Sequence, residues 1–203
     1  MVQNKEFFYR RLHSLLGVLP LGVFLLMHLF VNSFAMRGEE SFNQAAGFMG
    51  NLPAKVYLEI IVIALPILFH AIYGLYIAFT FKTSVAKHGY FRNWMFVLQR
   101  ITGITTVIYV VWHVWTTTVQ HLFFGADVNF DMMVANLDSP IKITAYFIGL
   151  IGAMFHFSNG LWSFLITWGI TVSPKSQKWS TIITMGLFVI LSILCVKIML
   201  AFM

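Results

Sequence analysis

Charge is almost absent from five long stretches of this chain. Residues 12–36, 101–126, 143–174 and 179–196 hold no Asp, Glu, Lys or Arg, and residues 56–81 hold one, Glu59. A bilayer core about 30 Å thick is crossed by about 20 apolar residues of helix. The last stretch reaches that length when Lys197 extends its ammonium to the far surface. The alternating pattern of a membrane β-barrel is missing. The chain therefore reads as an all-α membrane protein with helices at about 12–36, 55–81, 94–124, 140–172 and 179–202, in one transmembrane unit over residues 1–203. Composition agrees: 59% of the 203 residues are hydrophobic and 10% charged, against about 25% charged in a soluble domain. A water-soluble globule, a disordered chain and a nucleic-acid binder are excluded on that ground. Cys195 is the one cysteine, which excludes a disulfide framework and a Cys-ligated zinc or iron–sulfur site within the chain.

The connections are short and polar, and their charges set an orientation. Lys5, Arg10 and Arg11 precede the first span. Lys82, Lys87 and Arg92 fill the second connection, with Arg100 just inside the third span, and Lys175 and Lys178 lie in the fourth. The other side has Arg37, Lys55 and Lys142 together with six of the seven acids. The positive-inside rule then puts the N-terminus in the cytoplasm and the C-terminus outside. The first apolar run exceeds the roughly 7–15 residues of a signal-peptide core and contains His28, so it reads as a span rather than a cleaved leader. The six tryptophans fall largely near helix ends, as an interfacial belt does.

Four of the seven histidines fall deep inside the spans: His28, His70, His113 and His156. Ionisable residues at that depth are costly and mark function. A neutral imidazole hydrogen-bonded to a neighbouring helix would explain any one of them. One on each of the first four spans is a pattern. His13, His88 and His121, near helix ends, read most simply as interfacial.

The spacing exposes an internal repeat. His28 and His70 are 42 positions apart, and His113 and His156 are 43 apart. His70-Ala-Ile-Tyr-Gly74-Leu-Tyr parallels His156-Phe-Ser-Asn-Gly160-Leu-Trp, and Gly17 and Gly103 precede the first histidine of each hairpin by eleven and ten residues. Two parallel hairpins related by an axis along the membrane normal would set His28 facing His113 and His70 facing His156. Facing imidazoles across a helical bundle are what a haem iron takes as axial ligands. Gly74 and Gly160, one turn after their histidines, would let a flat macrocycle approach, or let helices pack closely. Arg11, His13, Ser14 and Arg100, at the cytoplasmic ends of spans one and three, are candidates for charge-assisted bonds to haem propionates. Lipid headgroup contact is the other use such residues have.

Across its whole length the chain resembles the cytochrome b membrane anchors of succinate:quinone oxidoreductase, in the single-chain, five-helix form of Gram-positive bacteria. The resemblance is carried by Phe7-Phe-Tyr-Arg-Arg-Leu-His-Ser-Leu-Leu-Gly17, Tyr90-Phe-Arg-Asn-Trp-Met-Phe-Val-Leu-Gln-Arg-Ile-Thr-Gly103, Asn129-Phe-Asp-Met-Met133 and Phe155-His-Phe-Ser-Asn-Gly-Leu-Trp-Ser-Phe164. It implies two haem b groups, with His70 and His156 ligating the one nearer the cytoplasm and His28 and His113 the one nearer the outside. It also implies a flavoprotein subunit carrying FAD and an iron–sulfur subunit, both on the cytoplasmic face of the bacterial cytoplasmic membrane. Menaquinone would be the electron acceptor. Glu59, the one carboxylate inside a span, would then be placed to relay protons to an outer quinone, or simply to reach the headgroups. Three other readings of the residues stay open: the anchor of a fumarate reductase, a stand-alone di-haem reductase, and a His-lined proton transporter.

Overall fold

A computed structural model describes residues 2–80, 85 and 87–203. Residue 81, the expected end of the second span, and Lys82 of the following connection lie outside the described residues. The described residues form helices joined by turns and loops, without strands. Five helices have the length and apolarity to cross a membrane: α1 (Lys5–Arg37), α3 (Lys55–Thr80), α4 (Phe91–Phe124), α6 (Pro140–Thr167) and α7 (Pro174–Ala201). Two short helices, α2 (Glu39–Gly50) and α5 (Phe130–Ala135), occupy connections that read as polar loops in the sequence. Asn129 caps α5 by accepting from Met132 N at 3.0 Å.

The ends of the spans follow from local chemistry. Ser139 and Ser173 cap α6 and α7, each with Pro at the first helical position, where its missing N–H costs nothing. Gly125 and Gly169 take positive φ, both +71°, just past the ends of α4 and α6, a backbone that ends a helix and suits glycine. Asp138 sits four residues before Lys142, 2.8 Å away. The Lys142 hydrogen bond holds the Asp138 carboxyl below the usual carboxylate range.

Three irregularities interrupt the spans. α1 breaks to a turn at Leu19, where Pro20 lacks the N–H that would bond Leu16. α3 opens into a π-helix over Leu58–Ala64. The ring of Pro66 clashes with the carbonyl four residues earlier, at Val62, so the backbone widens ahead of it. α4 opens likewise over Trp115–Val119. There the Thr117 hydroxyl bonds His113 O at 2.6 Å and Thr116 bonds Trp112 O at 3.1 Å, competing with the ladder.

α6 is the centre of the packing, lying against α1, α4 and α7. Gly149 and Gly152 face α4: a Cβ at 149 would enter the Tyr109 ring, and one at 152 would sit 3.4 Å from Thr105 Cγ2. Small residues let membrane helices approach closely. Met154 and Ser158 of α6 and Cys195 and Thr184 of α7 are fully buried between the helices. At one end Phe42 of α2, Phe130 of α5 and Phe202 form a ring cluster with centroids 4.9–6.0 Å apart. At the other, Arg92 lies 3.4 Å over the Trp162 ring and bonds the Thr181 hydroxyl, tying α4, α6 and α7 together. By contrast, the most apolar windows of α1, α3 and α4 are only 11%, 6% and 0% buried. An apolar surface of that extent suits a lipid environment.

Candidate functional site

The helices bring the four deep histidines together in two pairs. The rings of His28 on α1 and His113 on α4 have centroids 5.8 Å apart with planes at 75°. Those of His70 on α3 and His156 on α6 are 6.1 Å apart at 85°. Metal–imidazole bonds of about 2.0 Å on opposite sides of one ion, with each ring centre about 1.1 Å behind its nitrogen, place two centroids about 6 Å apart. Both pairs therefore stand at the separation that a shared axial metal requires.

Hydrogen bonds at Nδ1 prepare the second pair. His70 Nδ1 lies 3.0 Å from the backbone O of His13, and His156 Nδ1 lies 3.1 Å from the backbone O of Gln99. Carbonyls only accept, so both nitrogens carry the proton and leave Nε2 with its lone pair, the form that binds a metal. His113 Nδ1 is 3.4 Å from the hydroxyl of the buried Tyr146, and its ring stacks on Tyr109 at 5.7 Å.

Glycines make these contacts possible. A Cβ at Gly17 would lie 2.9 Å from His70 Nδ1, and one at Gly103 would lie 2.9 Å from His156 Cε1. Gly74 gives room to the other ring on this side, His13, whose Nε2 would be 3.0 Å from a Cβ there. Gly160 does the same for Gln99 Nε2 at 3.3 Å.

His13 is turned into the bundle rather than to the interface. Its ring lies flat on His70, with centroids 4.0 Å apart and planes within 6°. Gly17, one turn along, leaves the space beside His70 that this stack needs. His88 and His121 are exposed as expected. Arg11 is wedged between the rings of Phe7 and Trp168, at 4.8 and 5.1 Å, and its buried Nε has no hydrogen-bond partner, nor has Trp168 Nε1 beside it. Two buried donors without acceptors suit an anionic oxygen ligand. Ser14 is half-buried next to His13, and Arg100 is half-buried one turn before Gly103. Glu59 is half-exposed and lies 3.6 Å from Lys55 at the end of α3. Sequence reasoning overlooked Gln99, Asn159, Tyr109 and Tyr146. Gln99 carried a signal, since it precedes Gly103 by four residues as His13 precedes Gly17.

The comparisons with known proteins agree with this architecture. The family model described as the succinate dehydrogenase/fumarate reductase transmembrane subunit matches residues 81–195. The succinate dehydrogenase cytochrome b558 subunit of Bacillus subtilis (strain 168) is 55% identical over 202 residues, which covers 100% of both chains. The chain belongs to the succinate dehydrogenase/fumarate reductase transmembrane-subunit family. It is a multi-pass membrane protein, and its family role is the membrane-spanning part of an electron-transport complex. The segment matched by the family model contains α4, α6 and most of α7, hence His113, His156, Gln99 and Gly103. α1 and α3, with His28 and His70, are covered by the full-length relative.

Proposed function

We propose that the chain is the two-haem cytochrome b anchor of a succinate dehydrogenase and carries electrons from an iron–sulfur subunit on the cytoplasmic face to menaquinone. The reading is carried by two histidine pairs at the separation of bis-imidazole ligation. His70 and His156 hold the haem nearer the cytoplasm, and His28 and His113 the one nearer the outside. Held by two imidazoles, such a group would leave no open position for substrate and would supply single-electron transfer.

The chain's own residues do the rest. His13 O and Gln99 O hold the Nδ1 protons of His70 and His156. Gly17 and Gly103 admit the rings. Arg11, whose Nε lacks an acceptor, would meet a propionate, with Ser14 and Arg100 beside the same end. The basic N-terminus and second connection face the cytoplasm and the flavoprotein and iron–sulfur subunits. Glu59, paired with Lys55, serves the outer headgroup region.

The test is haem per polypeptide in the purified complex, by pyridine haemochrome and a reduced-minus-oxidised spectrum. Two haems are expected. A colourless protein would favour a proton transporter, and one haem would break the four-ligand assignment. Co-purification with the flavoprotein and iron–sulfur subunits excludes a stand-alone reductase. The direction of turnover with succinate and fumarate separates a dehydrogenase from a fumarate reductase.

A further inference from the structure

The two hairpins repeat at a constant offset of 86 residues around one histidine pair. His13, Gly17, His70, Tyr73 and Gly74 correspond to Gln99, Gly103, His156, Asn159 and Gly160. The backbone contacts correspond as well, because position 13 or 99 supplies the carbonyl that meets the imidazole Nδ1. The deeper pair, His28 and His113, is out of register by one residue, and the break of α1 at Leu19–Pro20 falls between the two.

The side chains at these equivalent positions are chemically different. On one side His13 stacks on His70, with Tyr73 5.8 Å from His13. On the other, an amide pair is locked by hydrogen bonds. Asn159 Nδ2 donates to Gln99 Oε1 at 2.7 Å and lies 3.3 Å from Met95 O. Two carbonyl-type acceptors face Nδ2, so the Asn159 amide has one orientation. That orientation fixes Oε1 of Gln99 toward Asn159, and the Gln99 NH2 therefore faces His156, donating to its backbone O at 3.0 Å. The same Nε2 flanks His156 Nδ1 at 3.2 Å. With the NH2 drawn to the backbone O, the Nδ1 proton goes to Gln99 O, and the NH2 packs beside the ring. Asn159 is 4% exposed, so these bonds are shielded from bulk solvent.

We propose that Gln99, oriented by Asn159, is a positioning residue that fixes the ring plane of His156: its backbone O accepts the Nδ1 proton and its side-chain NH2 ties the His156 backbone, as the stack on His13 fixes the plane of His70. This rests on the two-haem reading. One haem would then feel an aromatic stack through one ligand and an amide clamp through the other. The ring planes at 85° are maintained by these two unlike supports.

The experiment uses the assembled complex in membranes, with wild type, Gln99→Leu, Asn159→Ala and Gln99→Glu. Each is measured by haem content, by the low-spin ferric EPR lines, which respond to the angle between axial imidazole planes, and by redox titration. In Gln99→Leu and Asn159→Ala, the EPR line that His70→Ala abolishes should shift, with the other line unmoved. Gln99→Glu places a carboxylate beside Nδ1–H, makes the imidazole more basic and should lower the midpoint of that same haem only. Unmoved lines and midpoints in Asn159→Ala and Gln99→Glu would overturn the proposal, as would equal shifts of both haems. Should Gln99→Leu lose haem altogether, Asn159→Ala decides, since it keeps the Gln99 side chain and carbonyl. A wild-type complex without two haems would overturn the two-haem reading instead.

Discussion

Gly17 of α1 lies directly against His70 of α3: a Cβ at residue 17 would fall 2.9 Å from the imidazole Nδ1. The same relation joins Gly103 and His156, so each hairpin seats its second histidine in a notch cut by a glycine on its first helix. The notch and the Nδ1 bond one turn away form one device.

Filling a notch should therefore cost a cofactor rather than the fold. Gly17→Val and Gly103→Val are each expected to lose the haem of His70 and His156 and to keep the other, halving haem per chain. Gly47→Ala is the control, because nothing lies within 4 Å of a Cβ there; it should gain up to about 1 kcal/mol of helix stability. Haem content and thermal melting in detergent distinguish these outcomes.

Ligand removal should sort the four histidines into two couples. His70→Ala and His156→Ala are expected to delete the same component of a potentiometric titration, and His28→Ala and His113→Ala the other. The pairing would be wrong if His28 and His156 variants lost a common component.

Arg92 should act on assembly and not on the haems. Its guanidinium, 3.4 Å over Trp162 and bonded to Thr181, fastens α7 to α4 and α6. Arg92→Ala is expected to cost about 1–2 kcal/mol, seen as a lower melting temperature and faster proteolysis in the 169–174 connection. Arg92→Lys should recover little of it, since a compact ammonium cannot stack as a plane. The redox titration should match wild type in both.

Glu59 should be replaceable. Half-exposed and 3.6 Å from a partly exposed Lys55, its ion pair is worth no more than about 1 kcal/mol. Glu59→Gln should leave succinate-to-quinone turnover unchanged, and a large loss with haems intact would make it a proton relay.

Membrane potential should drive turnover. Electrons moving from the cytoplasmic side outward gain about 2.3 kcal/mol per charge for each 100 mV. An uncoupler should slow succinate-to-menaquinone turnover in intact cells and spare reduction of a soluble acceptor that takes electrons ahead of the haems. Equal effects on both would place the quinone on the cytoplasmic side.

The spans and the histidine repeat were legible in the amino-acid sequence because both are one-dimensional. Burying charge in lipid is costly enough to leave charge-free runs, and a helix turns a spacing of residues into a depth. Hence His28, His70, His113, His156, Gly74 and Gly160 stood out unaided. What surrounds each imidazole was decided by tertiary structure. His13 looks interfacial by position, yet Gly17 opens a place for it on His70. Gln99 and Asn159 are ordinary polar residues until α4 and α6 meet and leave each amide a single set of partners. The turn at Leu19, the π-helix before Pro66 and the surface helices α2 and α5 likewise depend on competing bonds. Hydropathy does not record those, because a hydrogen bond is set by where two backbones cross.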